Sequence, residues 1–296
     1  MYTNFYKLNA KPFESNPESR FLYLGEQHKE ALALLLFAVR QRKSLVLLSG
    51  PAGTGKTTLV NVLTRLEPTA TFSFIVNPYV ELIDFYRLMF HDFGIKEKCE
   101  TKADFLIALD DFLKSRQETS TQVVLLVDEA QGLSSDVLHE IRYILNMGAR
   151  YPGTLQIILS GQPEIRELIT DQSLQNLQQR IYLHFKLGPL GERETRAYIE
   201  KRLAEAGNPP QRKLLDDEAY AEIAWLSGGI PRIINSICDN ALLLGYLKKL
   251  RLIGRETIIE SVKDLDMLGL PAPRDMPAEQ PPPRHSWFRR WFAAGT

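Results

Sequence analysis

A chain of 296 residues, 44% apolar and 24% charged, has the make-up of a globular protein and can bury one large core or two domains. Its 36 Lys and Arg balance 36 Asp and Glu, so no global basic field favours nucleic acid, and only a local patch could do so. Two cysteines, Cys99 and Cys238, and five scattered histidines form neither a disulfide framework nor zinc spacing, which suits a reducing compartment.

Met1 to Phe5 lacks the basic region and apolar core of a secretory signal. Residues 26–42 read as an amphipathic helix, whose apolar run 31–39 is too short to span a bilayer. From Ser44 onward short apolar runs at 45–49, 71–76, 123–127, 156–160 and 181–186 predict strands. Helical patterns lie between them, at 58–66, 79–93, 102–116 and 136–147. That alternation predicts an α/β fold with a parallel sheet covered on both faces. From Glu192 the strands stop, and 192–206, 217–226, 231–247 and 255–266 read as helices. The chain thus divides into a flanking segment and helix (1–43), an α/β domain (44–188) and a small helical domain (189–268). A Pro-rich linker with an aromatic and basic tail, Trp287-Phe288-Arg289-Arg290-Trp291-Phe292, occupies 269–296.

The densest chemical signal is Gly50-Pro51-Ala52-Gly53-Thr54-Gly55-Lys56-Thr57, a full G-x-x-x-x-G-K-[ST] match. It lies between a strand and a helix, where backbone N–H groups can curl around a phosphate and the helix N-terminus adds its dipole. Lys56 is expected to reach the β- and γ-phosphates and Thr57 to bind Mg²⁺, with Thr58 beside them. The second signal is Val123-Val124-Leu125-Leu126-Val127-Asp128-Glu129, a buried strand that delivers two carboxylates at its C-terminal edge. Asp128 would serve the metal, and Glu129 would orient and deprotonate the attacking water.

Positive charge for the transition state has two candidate sources. Arg180 closes a polar helix before the last strand, and Arg232 follows Gly228-Gly229-Ile230-Pro231 at a helix start. Ser160, at a strand end, could sense the γ-phosphate or hold the water, and Gln162 competes for that role. Asn77, before Pro78, could bond Glu129 and restrain it until a partner binds. Leu226-Ser227-Gly228-Gly229-Ile230 looks like a transport-cassette signature, but it follows the Asp-Glu strand where a cassette has it before. No Asn-Lys-x-Asp segment for guanine is present, which removes a GTPase reading.

Taken in order, these motifs resemble the AAA+ ATPase family. The resemblance is closer to the ExeA/GspA branch, which includes the general secretion pathway protein A ATPases and the pilus-biogenesis ATPase MshM. The matching segments run from Phe5 through Pro12-Phe13, Phe21-Leu22-Tyr23-Leu24 and His28-Lys29-Glu30-Ala31-Leu32. They continue with Asp128-Glu129-Ala130-Gln131, Gly161-Gln162-Pro163-Glu164, Gln179-Arg180-Ile181 and Gly229-Ile230-Pro231-Arg232-Ile233-Ile234-Asn235. Several of them are shared with transposition ATPases of the TniB and TnsC kind. The resemblance implies a P-loop NTPase of three αβα layers, a sheet order 5-1-4-3-2 and a helical lid. It also implies ATP and Mg²⁺ as cofactors, assembly into a homo-oligomeric ring such as a hexamer, and Arg180 acting in trans. Phe13, Tyr23 or Leu24 would flank the adenine, and Pro231 would cover it from the lid. The implied role is cytoplasmic ATP hydrolysis in support of a secretion or pilus machine at the inner membrane.

The longer secretion relatives continue into a membrane span and a peptidoglycan-binding domain that this sequence does not show, so its length suits the pilus-type relatives. The terminal aromatics and arginines suit a bilayer interface with anionic lipid. The rival functions are a DNA-associated, transposition-type ATP switch, for which Lys248, Lys249, Arg251 and Arg255 offer the only basic cluster, and a non-hydrolysing scaffold, against which Glu129 argues.

Overall fold

Each of the five apolar runs becomes a parallel strand, and the hydrophobic pattern of each fixes its place. In the computed structural model, which describes residues 1–14, 19–76, 78–170 and 174–263, these are β1 (Leu45–Ser49), β2 (Thr71–Ile75), β3 (Val123–Val127), β4 (Leu155–Gly161) and β5 (Ile181–Lys186). Asn77 and the tail from Trp287 to Phe292 lie outside the described residues. The sheet order is β2-β3-β4-β1-β5, the order that the resemblance implies. β1, β3 and β4 are buried along their whole length because both sheet faces are covered. Strict alternation sorts their side chains. Leu45, Leu47, Leu125 and Leu159 enter the core on one face, and Val46, Leu48, Val124 and Ile158 enter the core on the other.

The first face is packed by α4 (Leu82–Phe93), α5 (Lys102–Glu118), α6 (Ser135–Gly148) and the short α7 (Ile165–Thr170). The second is packed by α2 (Glu26–Arg40) and α3 (Lys56–Leu66). The helix expected over 79–93 loses its first turn, because Pro78 to Glu81 is not helical and Glu81 is an extended N-cap. The strand expected at 156–160 gains a residue at each end, since Leu155 and Gly161 also pair across the sheet. Among the described residues no helix is long and apolar enough to cross a membrane.

A separate core joins α9 (Glu192–Glu205), α10 (Asp217–Ser227), α11 (Pro231–Leu247) and α12 (Arg255–Ser261). Its unexpected members come from the start of the chain. Tyr2 and Tyr6, in and just after α1 (Tyr2–Phe5), with Leu8, Phe13 and Phe21, are buried among these helices. Tyr6 donates to the Leu250 carbonyl (3.1 Å), and the Asn9 N–H donates to the Ala206 carbonyl (2.7 Å). Arg202, 3% exposed, donates to the carbonyls of Pro12 (2.6 Å) and Glu14 (3.0 Å) and to the Tyr198 hydroxyl (2.7 Å). Residues 1–14 and 19–23 are therefore a strap bound to the helical domain. The chain passes between the two bodies near Leu24 and again near Gly188. The crossings are stitched together: the Glu26 N–H donates to Glu194 (2.8 Å), and the Gly188 N–H donates to Gln27 (2.9 Å).

Candidate nucleotide site

β1 ends at Ser49, and the Gly50 N–H donates to the Gly161 carbonyl at the end of β4 (3.1 Å), which anchors the loop that follows. Pro51, Ala52 and Gly53 cross the C-terminal edge of the sheet, and Thr54 holds the turn by donating its hydroxyl to the Pro51 carbonyl (2.9 Å). α3 begins at Lys56, so its first turn presents N–H groups that have no partner within the helix. Thr57 and Thr58 are exposed on that turn. Lys56 is buried, and its ammonium donates to the carbonyls of Gly50 (2.8 Å) and Pro51 (3.0 Å). Burial draws its pKa down, against the pull of Glu129 and Asp128.

Asp128 and Glu129 stand beside this loop because β3 pairs with β4, whose other neighbour is β1. Asp128 is 1% exposed and accepts from two hydroxyls, Thr57 and Ser160 (2.7 Å from Ser160). The Ser160 hydroxyl, expected to sense a γ-phosphate or hold the water, donates here to the Asp128 carboxylate. A hydroxyl and a carboxylate at a sheet edge are the oxygen donors that a hard divalent cation takes, so the residues fit Mg²⁺. Glu129 adopts a left-handed backbone (φ 50°) that costs a residue with a Cβ about 1 kcal/mol. Its carboxylate accepts from the side-chain amides of Gln131 (2.6 Å) and Gln162 (3.3 Å), and the Gln131 side-chain oxygen accepts the backbone N–H of Gln162 (2.9 Å). Burial alone would raise its pKa. The two amides and the charges of Lys56 and Arg232 outweigh that and hold the carboxyl below its usual range. A base kept ionised next to the phosphate loop can take a proton from water. Asn77, expected to bond Glu129, lies outside the described residues; among those described, Gln131 and Gln162 donate to the Glu129 carboxylate.

The helical domain contributes from above. α10 stops at Gly228 in a left-handed cap, and Gly229 (φ 73°) follows, with its carbonyl accepting the Leu190 N–H (2.9 Å). A Cβ at Gly229 would lie 1.9 Å from the Leu190 carbonyl oxygen, so only glycine permits this contact. Pro231 then opens α11 and sets Arg232 over the loop, the Arg232 N–H facing the Gly53 carbonyl at 3.4 Å. Gly53 (φ 80°) in turn leaves no room for a Cβ, which would meet the Arg232 Cβ at 2.8 Å. Gly53→Ala is therefore expected to weaken ADP binding roughly tenfold to a hundredfold, the equivalent of about 1–3 kcal/mol of strain. Isothermal titration checks this, and unchanged affinity would mean that the loop and Arg232 yield together.

Arg180 is placed differently. It follows α8 (Gln175–Gln178), and it precedes β5 at the N-terminal edge of the sheet, where Ile181 pairs with Leu45. The P-loop leaves from the opposite edge, a strand length of roughly 15 Å away. The Arg180 side chain is too short to bridge that to its own loop.

Tyr23 and Pro231, expected near an adenine, line a cavity beside the P-loop, with Thr54, Gly55 and Thr58 as its floor. Phe13 and Leu24 do not line it: Phe13 is buried in the helical core, and Leu24 packs against the sheet core. Two side chains given no role in the sequence do: His28, from the matching segment 28–32, and Arg202, which no motif marks. Each reads in sequence as a polar residue on an amphipathic helix. His28 is buried and sits 2.8 Å from the Thr54 carbonyl, with its second ring nitrogen unpartnered among the described residues. A glycine-rich turn that runs into a helix start, a buried lysine and an adjoining cavity fit a nucleotide.

A family model described as AAA domain matches residues 39–169. Over 250 residues, 84% of the chain, the sequence is 35% identical to general secretion pathway protein A of Aeromonas hydrophila, of whose length it spans 45%. In fold it is similar to Cdc6p from Pyrobaculum aerophilum (18% identity, 86% of this chain and 75% of that one, TM-score 0.65). It is similar too to Drosophila ORC bound to DNA (15%, 90% and 66%, TM-score 0.63) and to the Thermotoga maritima RuvB branch-migration motor (19%, 82% and 70%, TM-score 0.52). A P-loop fold shared with these proteins, and a sequence shared across most of the chain with a secretion-pathway protein, support an ATPase with an AAA domain that is similar to general secretion pathway protein A.

Proposed function

We propose that this chain is a Mg²⁺-dependent ATPase that works as a ring and supports assembly of a membrane-associated secretion or type IV pilus-like machine. The position of Arg180, at the sheet edge away from its own P-loop, carries the ring: it is useful only to a neighbour's nucleotide. Thr57 and Asp128 would hold Mg²⁺, which when bound supplies charge neutralisation at the β- and γ-phosphate oxygens. Lys56 would turn from its loop carbonyls to the same phosphates. Glu129 would accept the proton of the attacking water, and Arg232 would bring lid charge to the site. The 35% identity to general secretion pathway protein A supports the machine, which makes an inner-membrane surface the proposed place of work.

Two measurements test the two halves. Turnover per subunit is expected to rise with protein concentration as sites are completed in trans, and Arg180→Ala to stay flat at the level of the dilute protein. Concentration-independent turnover in the unaltered chain would remove the ring. Adding anionic vesicles or duplex DNA then distinguishes the machine. Stimulation by vesicles, lost when 287–292 are deleted, supports the membrane role. Stimulation by DNA alone, falling steeply with salt, would replace it with a DNA-associated switch of the kind that the fold likeness to ORC bound to DNA brings into view.

A further inference from the structure

His28 lies in the first turn of α2 and is 5% exposed. Its Nε2 is 2.8 Å from the Thr54 carbonyl oxygen. A carbonyl only accepts, so Nε2 carries the hydrogen, and in a neutral ring Nδ1 is then an acceptor with a free lone pair. Burial draws the pKa of this histidine down, beyond what the Thr54 carbonyl and the Glu194 charge restore, so the ring is neutral at neutral pH. Nδ1 is itself buried and has no hydrogen-bond partner among the described residues. Buried acceptors are nearly always met by a donor, and one left over beside a binding loop calls for a ligand group.

The surroundings say which group. The ring lines the cavity whose other walls include Tyr23 of the strap, Thr58 of the P-loop helix, and Tyr198 and Pro231 of the lid. Tyr23 and Tyr198 meet edge to face (5.8 Å between ring centres). Aromatic and prolyl walls next to a phosphate loop suit a flat heteroaromatic base. At about 80 Å³ the cavity is smaller than a purine. Its walls come from the strap, the lid and the P-loop, so admitting a base would require them to part.

We propose that His28 is a specificity residue that accepts a hydrogen bond through Nδ1 from the exocyclic 6-amino group of adenine. A 6-oxo purine would set an acceptor against this acceptor and be rejected, because the bond is lost and two lone pairs face each other. The inference rests on nucleotide binding at the P-loop, and the test keeps the two apart. ADP and IDP differ at position 6 and at the ring nitrogen next to it, and carry the same ribose and phosphates. Isothermal titration of the full chain is expected to show ADP binding roughly tenfold to a hundredfold tighter than IDP. In His28→Phe, ADP affinity should fall to the IDP level while IDP affinity stays the same. Equal affinities in the unaltered chain would overturn the proposal without need of any variant. So would a variant that keeps the preference, or one that loses both ligands equally, which would mean that His28 acts only by holding Thr54. Failure of both nucleotides to bind the unaltered chain would instead overturn the nucleotide site.

Discussion

Glu129→Gln should hold nucleotide and scarcely turn it over. A positioned general base contributes roughly 10²–10⁴ in rate, so kcat is expected to fall by that factor. The carboxamide that replaces the carboxylate can still accept from Gln131 and Gln162, the two amides now at 2.6 and 3.3 Å. The left-handed turn at residue 129 should therefore survive, and ADP affinity should change by less than about threefold, within the roughly 0.5 kcal/mol of an ordinary substitution away from the ligand. Phosphate release and titration with ADP check the two halves separately. A variant that keeps more than a tenth of the turnover would show that water is activated elsewhere. Gln131→Ala is the companion case. It frees Glu129 from its nearest restraint and removes one of the forces holding its carboxyl below the usual range, so the acid limb of the rate profile should move to higher pH.

Arg202→Met is expected to be the most damaging single change outside the P-loop. The methionine keeps most of the side-chain volume but removes two buried hydrogen bonds and a partly buried one, leaving the carbonyls of Pro12 and Glu14 without that donor. It also removes a cation set over the rings of Phe21 (5.6 Å) and Tyr198 (5.5 Å). Unsatisfied buried acceptors cost about 1–3 kcal/mol each, and the effects overlap, so the loss should be about 3 kcal/mol. That corresponds to a fall in Tm on the order of 5–10 °C. Arg202→Lys should recover little of it, because a lysine cannot serve two diverging carbonyls and a hydroxyl from one planar fork. Limited proteolysis offers an independent reading: cleavage within the first 21 residues should become the earliest event. A melting curve unchanged by Arg202→Met would mean that the strap is held by its apolar side chains alone.

The parts of this protein that were legible in its sequence are those governed by local rules. Strands such as Val123–Val127 are continuous apolar runs because both sheet faces are covered, and the P-loop and Asp128-Glu129 are contiguous in the chain. What escaped depends on contacts between distant segments. Nothing local distinguishes Gln131 from any amide after a strand until β4 brings Gln162 beside it. Tyr2, Tyr6 and Phe13 are an ordinary scatter of aromatics until the last four helices provide their core. Ser160 was read for its place at a strand end, and only the pairing of β3 with β4 shows that its hydroxyl belongs to Asp128. His28 opens a segment that the family resemblance marks, but no local feature gives it a place beside the phosphate loop, since a single histidine on an amphipathic helix is usually a packed one.

The strap has a practical consequence for watching the molecule at work. Met1 is 90% exposed, yet the next residue is buried against the last helices of the described fold. A dye attached at the first residue would ride on the lid and not on the sheet that binds the phosphates. Paired with a second dye on α5, it would turn opening of the base pocket into a change of distance, so that the front of the chain reports the motion of its back half.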